Sequence, residues 1–298
     1  MSTSSDSNQK LYPIDIKTCI EQYTWKRFRE NRGCWRSLLV SKKKHYVEVR
    51  WGYLHFEHKT KLKRRRETTS GAKKKEPKKK EVHLYVSDYE NKTSISQQYT
   101  FSATRETRSS ASVEVQDTYT LEGSMNLEID LGGIGKLGGG FSSSLSVTKT
   151  SGETFEKALR WEVNAEVKVK PWHKAIASLR VSELNRLYNF EVKTTVSLPQ
   201  GHLPVAIRRR SDDTIIWVFW ITKLPVIFDE KLRSKYNIVV VEEHLKDINR
   251  IRENVVFTTH GICKTVFWTK QHVKVESKEM DNMPEHIQNA LKNESEEG

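Results

Sequence analysis

The residue types able to carry chemistry do not assemble into a reaction site. His260 and Cys263 stand three apart, a spacing two metal ligands can use, but no second pair accompanies them. A closed zinc site needs four ligands. Gly133, Gly135 and Gly138 match Gly-x-Gly-x-x-Gly. That motif cradles a pyrophosphate only when a buried parallel strand precedes it and a helix follows. Here an alternating segment precedes it and a Gly/Ser-rich one follows. The Gly135–Lys136 pair is followed by Leu137, and Asp130 holds the place of a phosphate loop's first glycine. Neither a nucleophile elbow nor a metalloprotease helix motif occurs. The three cysteines, Cys19, Cys34 and Cys263, are too few and too scattered for a disulfide framework. No cofactor and no enzymatic reaction are expected.

A different pattern carries a physical function. At odd positions from 113 to 131, eight of ten residues are apolar: Val113, Val115, Tyr119, Leu121, Met125, Leu127, Ile129 and Leu131. At even positions, including Glu122, Asn126, Glu128 and Asp130, none is. Side chains of a strand alternate between faces, so one face is apolar and the other polar. After the glycine-rich turn 132–140, Phe141, Leu145 and Val147 alternate with Ser142, Ser144 and Ser146. Setting Leu131 opposite Phe141, Leu127 opposite Leu145 and Met125 opposite Val147 puts both apolar sets on one side. A one-residue slip destroys that match.

The pattern fits an ordinary sheet with one buried face. It also fits a hairpin that enters a bilayer. At ~3.3 Å per residue the segment 113–131 reaches about 60 Å, whereas a membrane strand needs roughly 9–11 residues. The tip carries Ile134 and Leu137 among its glycines, where a surface turn would be polar. A lone hairpin leaves backbone groups unpaired in lipid, so several copies must close into a barrel. Then Met125, Leu127, Ile129, Leu131, Ile134, Leu137, Phe141, Leu145 and Val147 face lipid. Glu122, Asn126, Glu128, Asp130, Ser142, Ser144 and Ser146 line water, and the acids among them favour cations.

The chain has 298 residues and a net charge of +13, much of it local. Lys61, Lys63, Arg64, Arg65, Arg66, Lys73, Lys74 and Lys75 fall in one stretch, with Lys78, Lys79 and Lys80 behind them. As a solvated loop over 59–81, this tract suits anionic lipid headgroups. Nucleic-acid binding or a nuclear role is the alternative, weakened by the lack of interleaved aromatics for base stacking. A β-rich binding module without a pore remains a third reading. The longest apolar run, Ile215–Ile221, is far short of the ~20 residues of a membrane helix. No apolar core follows Met1–Lys10, so a secretory leader is not expected. Cytosolic synthesis, with action at membranes after non-classical release, is the expectation.

The elements that must position the hairpin are mostly strands. Residues 1–12 read as unstructured. Ile16, Cys19, Ile20 and Tyr23 recur at helical spacing. Strands are expected at 47–53, 83–89, through the Ser/Thr-rich 92–124, at 161–170, 176–198, 237–241, 255–259 and 264–275. The run 215–221 reads as a buried central strand, and 242–252 as a short helix. Pro284 opens a last helix before an acidic tail. Trp51, Tyr53, Trp217, Trp220 and Trp268 suit either core packing or an interfacial belt. Asn91–Lys92–Thr93 and Asn293–Glu294–Ser295 are glycosylation sequons. The organisation expected is an N-terminal mixed region (1–82), an elongated β region (83–200) with the hairpin 124–148, further body strands (201–280), and a terminal helix and tail (281–298).

At these residues the sequence resembles the aerolysin-type family of β-pore-forming proteins, which includes epsilon-toxin-like and natterin-like members. The likeness rests on the Ser/Thr-rich strands Thr93–Thr120 and Ser142–Ser151, the amphipathic hairpin between them, and the following Trp161–Pro171. It covers roughly 90–200, with weaker correspondence up to 278. It implies a mainly β, elongated body of long twisted antiparallel strands with a few short helices. It further implies binding to a membrane lipid or surface receptor, possibly a glycan, then homo-oligomer assembly and refolding of the hairpin into a barrel. No lectin-like module is recognisable in the first 80 residues.

Overall fold

A computed structural model describes residues 13–38, 40–65, 80–131, 141, 144–245 and 250–280. A two-residue strand β1 (Ile14–Asp15) leads into α1 (Ile16–Leu38). Asp15 caps that helix, accepting from the Thr18 N–H at 3.3 Å and the Thr18 hydroxyl at 2.7 Å. Ile16, Cys19, Ile20, Thr24 and Phe28 recur at three- and four-residue steps and are all buried. Next come β2 (His45–Val49), a 3₁₀ turn (Trp51–Tyr53), β3 (His55–Arg64) and β4 (Lys80–Asn91). The long β5 (Gln97–Asp117) is followed by β6 (Tyr119–Thr120), β7 (Leu127–Asp130) and β8 (Ser144–Val147). The body is completed by β9 (Glu153–Val169) and β10 (His173–Ser197). Then come β11 (Leu203–Arg209), β12 (Ile215–Ile221), a 3₁₀ turn (Leu224–Ile227), α2 (Glu230–Lys235), β13 (Val239–Leu245) and β14 (Arg250–Glu279).

The backbone of the molecule is the antiparallel pair β10–β14, paired from His173–Glu279 to Val196–Val255 with one shift of register between Val181 and Ser182. The 30 residues of β14 reach about 100 Å at ~3.3 Å per residue, so the body is elongated. Edge strand β3 covers the last ten residues of β10, from Tyr188 to Ser197, and β4 covers its first half. On the other side β14 pairs with β13 and β5, and β5 with β9.

Three apolar cores lie along this body. The head core joins α1 to β2, β11 and β12 and to the end of the β10–β14 pair through Val196, Val255 and Phe257. The middle core lies beneath β7 and β8. The distal core gathers Phe101, Val163, Val167, Val169, Ala175, Ala177 and Leu179. The head sheet runs β12–β11–β2, so it draws on both sides of the sequence divisions at 82 and 200, while β3 belongs to the body.

Several local expectations are corrected. The basic tract is not a loop from 59: Lys61, Lys63 and Arg64 lie in β3, because Leu62, Thr60 and His58 alternate with them and turn inward. Residues 51–53 form a 3₁₀ turn, not strand. The stretch 215–221 is an edge strand with exposed Ile215, Val218 and Trp220. Residues 242–245 and 250–252 are strand, since pairing between β13 and β14 overrides the helical spacing. The Asn91 sequon is closed: its amide is buried and donates to Val169 O and Lys170 O, both at 3.0 Å. The N-terminal segment 1–12, most of the basic tract, the hairpin tip, the Pro284 helix and the tail lie outside the described residues.

Candidate membrane-insertion hairpin

Strands β7 and β8 form a two-stranded antiparallel sheet lying on the face of the body. Met125, Leu127, Ile129, Leu131, Leu145 and Val147 are all buried. They pack on Tyr188, Phe190 and Val192 of β10, Val113 of β5 and Cys263 of β14, with Leu62 and Phe141 at the margin. Phe141 meets Phe267 at 5.9 Å between ring centroids. Asn126, Glu128, Asp130 and Ser146 are exposed on the opposite face, and Ser144 is half-buried. Of the described residues assigned to lipid, all but the half-buried Phe141 are therefore turned away from water, as alternation requires. Ile134, Leu137 and Ser142 lie outside the described residues.

The register differs from the one read off the sequence. Leu127 faces Val147 and Ile129 faces Leu145. The offset is two residues, which keeps every side chain on its expected face.

The strand 113–131 is also not continuous here. It breaks after Asp117 and folds back through Leu121–Glu122–Gly123–Ser124. Leu121 N donates to Ser124 O at 2.8 Å, and Ser124 N returns to Leu121 O at 3.2 Å. Glu122 and Gly123 have φ of 55° and 79°. Two consecutive positive φ values make a type I′ turn, an unfavourable conformation for Glu122. Lys17 on α1 offsets this with a 3.1 Å ion pair to Glu122. Thr118 and Tyr119 tie down the return strand, the Thr118 hydroxyl on Met125 Sδ at 3.0 Å and the Tyr119 hydroxyl on Asn126 O at 3.2 Å.

Edge strand β3 holds the other flank. Thr60 Oγ1 accepts from Asp130 N at 3.0 Å and donates to Glu128 O at 3.5 Å. His58, two residues back on the same face, is hydrogen-bonded to Thr194 at 3.0 Å. Burial lowers its pKa below the ordinary 6.5, with nearby Glu128 opposing the shift. Two glycines admit the close packing. A Cβ on Gly261 would sit 2.3 Å from both Glu114 O and the Phe190 ring. Gly152, where the chain leaves the hairpin for β9, has φ +93° and leaves only 2.1 Å to Val113 O for a Cβ.

The remaining sequence candidates separate. His260 lies 3.8 Å from Glu191 with a partly exposed side chain, whereas Cys263 is buried, its thiol pushed up to about 11 by burial. A strand sends positions three apart to opposite faces, which dissolves that metal pair. Among the described residues no group of three metal-type ligands occurs. Lys61, Lys63 and Arg64 are exposed along β3 and Arg65 just beyond it, while Arg66, Lys73, Lys74 and Lys75 lie outside the described residues. Trp217 stacks on Phe219 and meets Phe28, Trp51 and Tyr53 pack on the head core, and Trp268 donates to Arg108 O. Trp220 alone of the five aromatic candidates is an exposed large hydrophobic, at 57%. Sequence reasoning missed Lys17, His58, Thr60, Gly152 and Gly261, whose roles depend on residues far away in the chain.

No protein-family model matches the chain, and no curated protein matches it significantly in sequence. Solved structures do match. A non-toxic crystal protein from Bacillus thuringiensis is 13% identical, with 92% of this chain and 100% of that chain covered and a TM-score of 0.51. The Cry23Aa1 and Cry37Aa1 binary complex matches at 12% identity over 91% of this chain and 92% of that chain, with a TM-score of 0.48. The Mpp75Aa1.1 beta-pore-forming protein from Brevibacillus laterosporus matches at 8% identity over 80% of this chain and 72% of that chain, with a TM-score of 0.41. The fold assignment rests on the first of these. The fold is mainly β and elongated, with few helices, as the aerolysin-type resemblance implies.

Proposed function

We propose that the protein is a non-enzymatic pore former, a toxin or defence effector, that assembles on membranes and builds a β-barrel from the hairpin 124–148. The observation that carries this reading is the storage of the hairpin. Its apolar face is hidden on the body, and a break after Asp117 followed by a type I′ turn at 121–124 interrupts what would otherwise be a single amphipathic strand from Val113 to Leu131. Opening that turn relaxes Glu122 and exposes a surface that water does not tolerate but lipid does. Since one hairpin cannot satisfy its own edges in lipid, assembly of several copies is part of the proposal.

In the barrel, Met125, Leu127, Ile129, Leu131, Phe141, Leu145 and Val147 meet lipid. Glu122, Asn126, Glu128, Asp130, Ser144 and Ser146 line the lumen. The partners are the membrane, through lipid or a surface receptor, and further copies of the same chain. The matching crystal protein from Bacillus thuringiensis is described as non-toxic, so the reading rests on the hairpin and not on the fold.

The test is dye release from liposomes of anionic and neutral lipid, and from red cells, with detergent-resistant oligomers sought on the same membranes. Release accompanied by large oligomers supports the pore. Binding to all three membranes without release or oligomers would remove it.

A further inference from the structure

The outer face of the head sheet combines exposed apolar groups with a cationic rim, and the topology of the hairpin gives that end of the molecule a role. Trp217 and Phe219 turn inward against Phe28 and Tyr23 of α1. Val218 and Trp220 therefore turn outward. Strand pairing across β12, β11 and β2 sets Trp220 beside Pro204, Val218 beside Ala206 and Glu48, and Ile215 beside Arg208 and Tyr46. Trp220, Ile215 and Val218 are 57%, 51% and 43% exposed. Among the described residues β12 pairs with β11 alone, so this apolar strand is an edge.

One end of the same sheet is basic. The Lys42–Lys44 turn is joined to the β11–β12 turn by the hydrogen bond from Arg210 N to Lys44 O at 2.9 Å. The Arg210 guanidinium lies over the Tyr46 ring, and the Tyr46 hydroxyl donates to Asp213 at 2.9 Å. In the segments 42–48 and 208–213, six Lys and Arg stand with three carboxylates, of which Glu48 pairs with Arg208 and Asp212 with Arg209. A protruding tryptophan beside a surplus of cations is the chemistry of a bilayer interface carrying anionic headgroups.

The direction of insertion is independent of that chemistry. Strand β5 runs from the distal core, where Gln97 faces Val169, to Asp117 opposite His260. Three residues from His260, Phe257 is already part of the head core. Straightening the 121–124 turn therefore points residues 118–131 toward the head end. At ~3.3 Å per residue they reach about 45 Å, more than the roughly 33 Å of β14 that remains between His260 and Arg250. The exposed Ile95 sits at the β4–β5 turn, at the opposite end.

We propose that the outer face of the head sheet, edged by Trp220 and Val218 and rimmed by Lys42–Lys44 and Arg208–Arg210, is where the soluble protein first docks on an anionic lipid bilayer. This rests on the pore-forming reading, and its test separates the two. Full-length protein is sedimented with phosphatidylcholine vesicles with or without phosphatidylserine. Three variants are compared, W220S/V218S, K42E/K43E/K44E and, on the body, K61E/K63E, each checked for folding by circular dichroism. The expected result is binding that needs phosphatidylserine and falls steeply with salt. Either head variant should weaken it by about tenfold or more, and K61E/K63E should leave it unchanged. Binding indifferent to both head variants, lost only in K61E/K63E, or equal on the two vesicles would overturn the proposal. Head-dependent binding without dye release from these vesicles or from red cells would support this docking face while removing the pore; dye release indifferent to the head variants would overturn the docking face alone.

Discussion

Thr60 on the edge strand β3 accepts a 3.0 Å hydrogen bond from the backbone N–H of Asp130 on the hairpin. The two residues are 70 positions apart, and with the Thr60–Glu128 bond this contact fastens the free flank of β7 to the body. A single neutral hydrogen bond contributes about 0.5–1.5 kcal/mol. Thr60→Val is therefore expected to leave the protein folded and to speed pore formation severalfold. Stopped-flow dye release and hydrogen exchange at 127–130 check it; unchanged exchange there would show that Thr60 is not a fastening.

Leu127 is wholly buried in the tucked state and assigned to lipid in the pore. Leu127→Ala should cost the tucked state about 2–5 kcal/mol, since the cavity cannot fully close. The expected outcome is a lower denaturant midpoint together with faster dye release. Leu127→Asp should fold poorly and abolish pores, because a charge on the lipid face costs ~2–4 kcal/mol near the midplane in every subunit. Unaltered conductance of Leu127→Asp would contradict the lipid-facing assignment.

Glu128 is exposed in the soluble form, so its substitution leaves the stored hairpin largely intact. Glu128→Lys replaces a ring of negative charge by a positive one in the proposed lumen. The reversal potential of single pores in a salt gradient should move toward anion preference. A reversal potential identical to that of the unsubstituted protein would put Glu128 outside the lumen.

His58 gives the stored state a pH dependence of determinable sign. Burial depresses its pKa below 6.5 while the hairpin, with Glu128 nearby, is docked, and hairpin release is expected to uncover it. Below about pH 6.5 the released state takes up the proton more readily, so docking weakens as pH falls. Above that range both states are neutral and the effect vanishes. Dye release should accelerate between pH 7.5 and pH 5.5, and His58→Gln should flatten that slope. A slope retained in His58→Gln would assign the effect to other groups.

The amphipathic faces were legible because burial needs only the period of two, and each described odd-position hairpin residue assigned to lipid is buried except Phe141, which is half-buried at the margin. The two-residue offset in register was not, because side-chain parity allows any even shift and the backbone bond from Met125 N to Thr148 O is beyond it. The Glu122–Gly123 turn was hidden inside an alternating run in which Gly123 occupied an apolar-face position. Lys59, Lys61 and Lys63 read as a charge run, yet the inward Thr60 and Leu62 make them one face of a strand. The uniformly apolar 215–221 read as central, whereas its exposed side is what makes the head surface distinctive. The roles of Lys17, His58 and Thr60 arise only when segments far apart in sequence meet.

In the proposed pore, the 121–124 turn opens so that Val113–Leu131 becomes one strand. Leu121 and Ser124 exchange both backbone hydrogen bonds, and such antiparallel partners stand about 5.5 Å apart at Cα, within disulfide range. Leu121→Cys with Ser124→Cys should therefore cross-link the closed turn. The measurement is dye release by this double variant, oxidised and then reduced. Membrane binding without release is expected when oxidised, with recovery of release on reduction. Equal release in both states would show that the turn stays closed in the active form and that the hairpin does not extend as proposed.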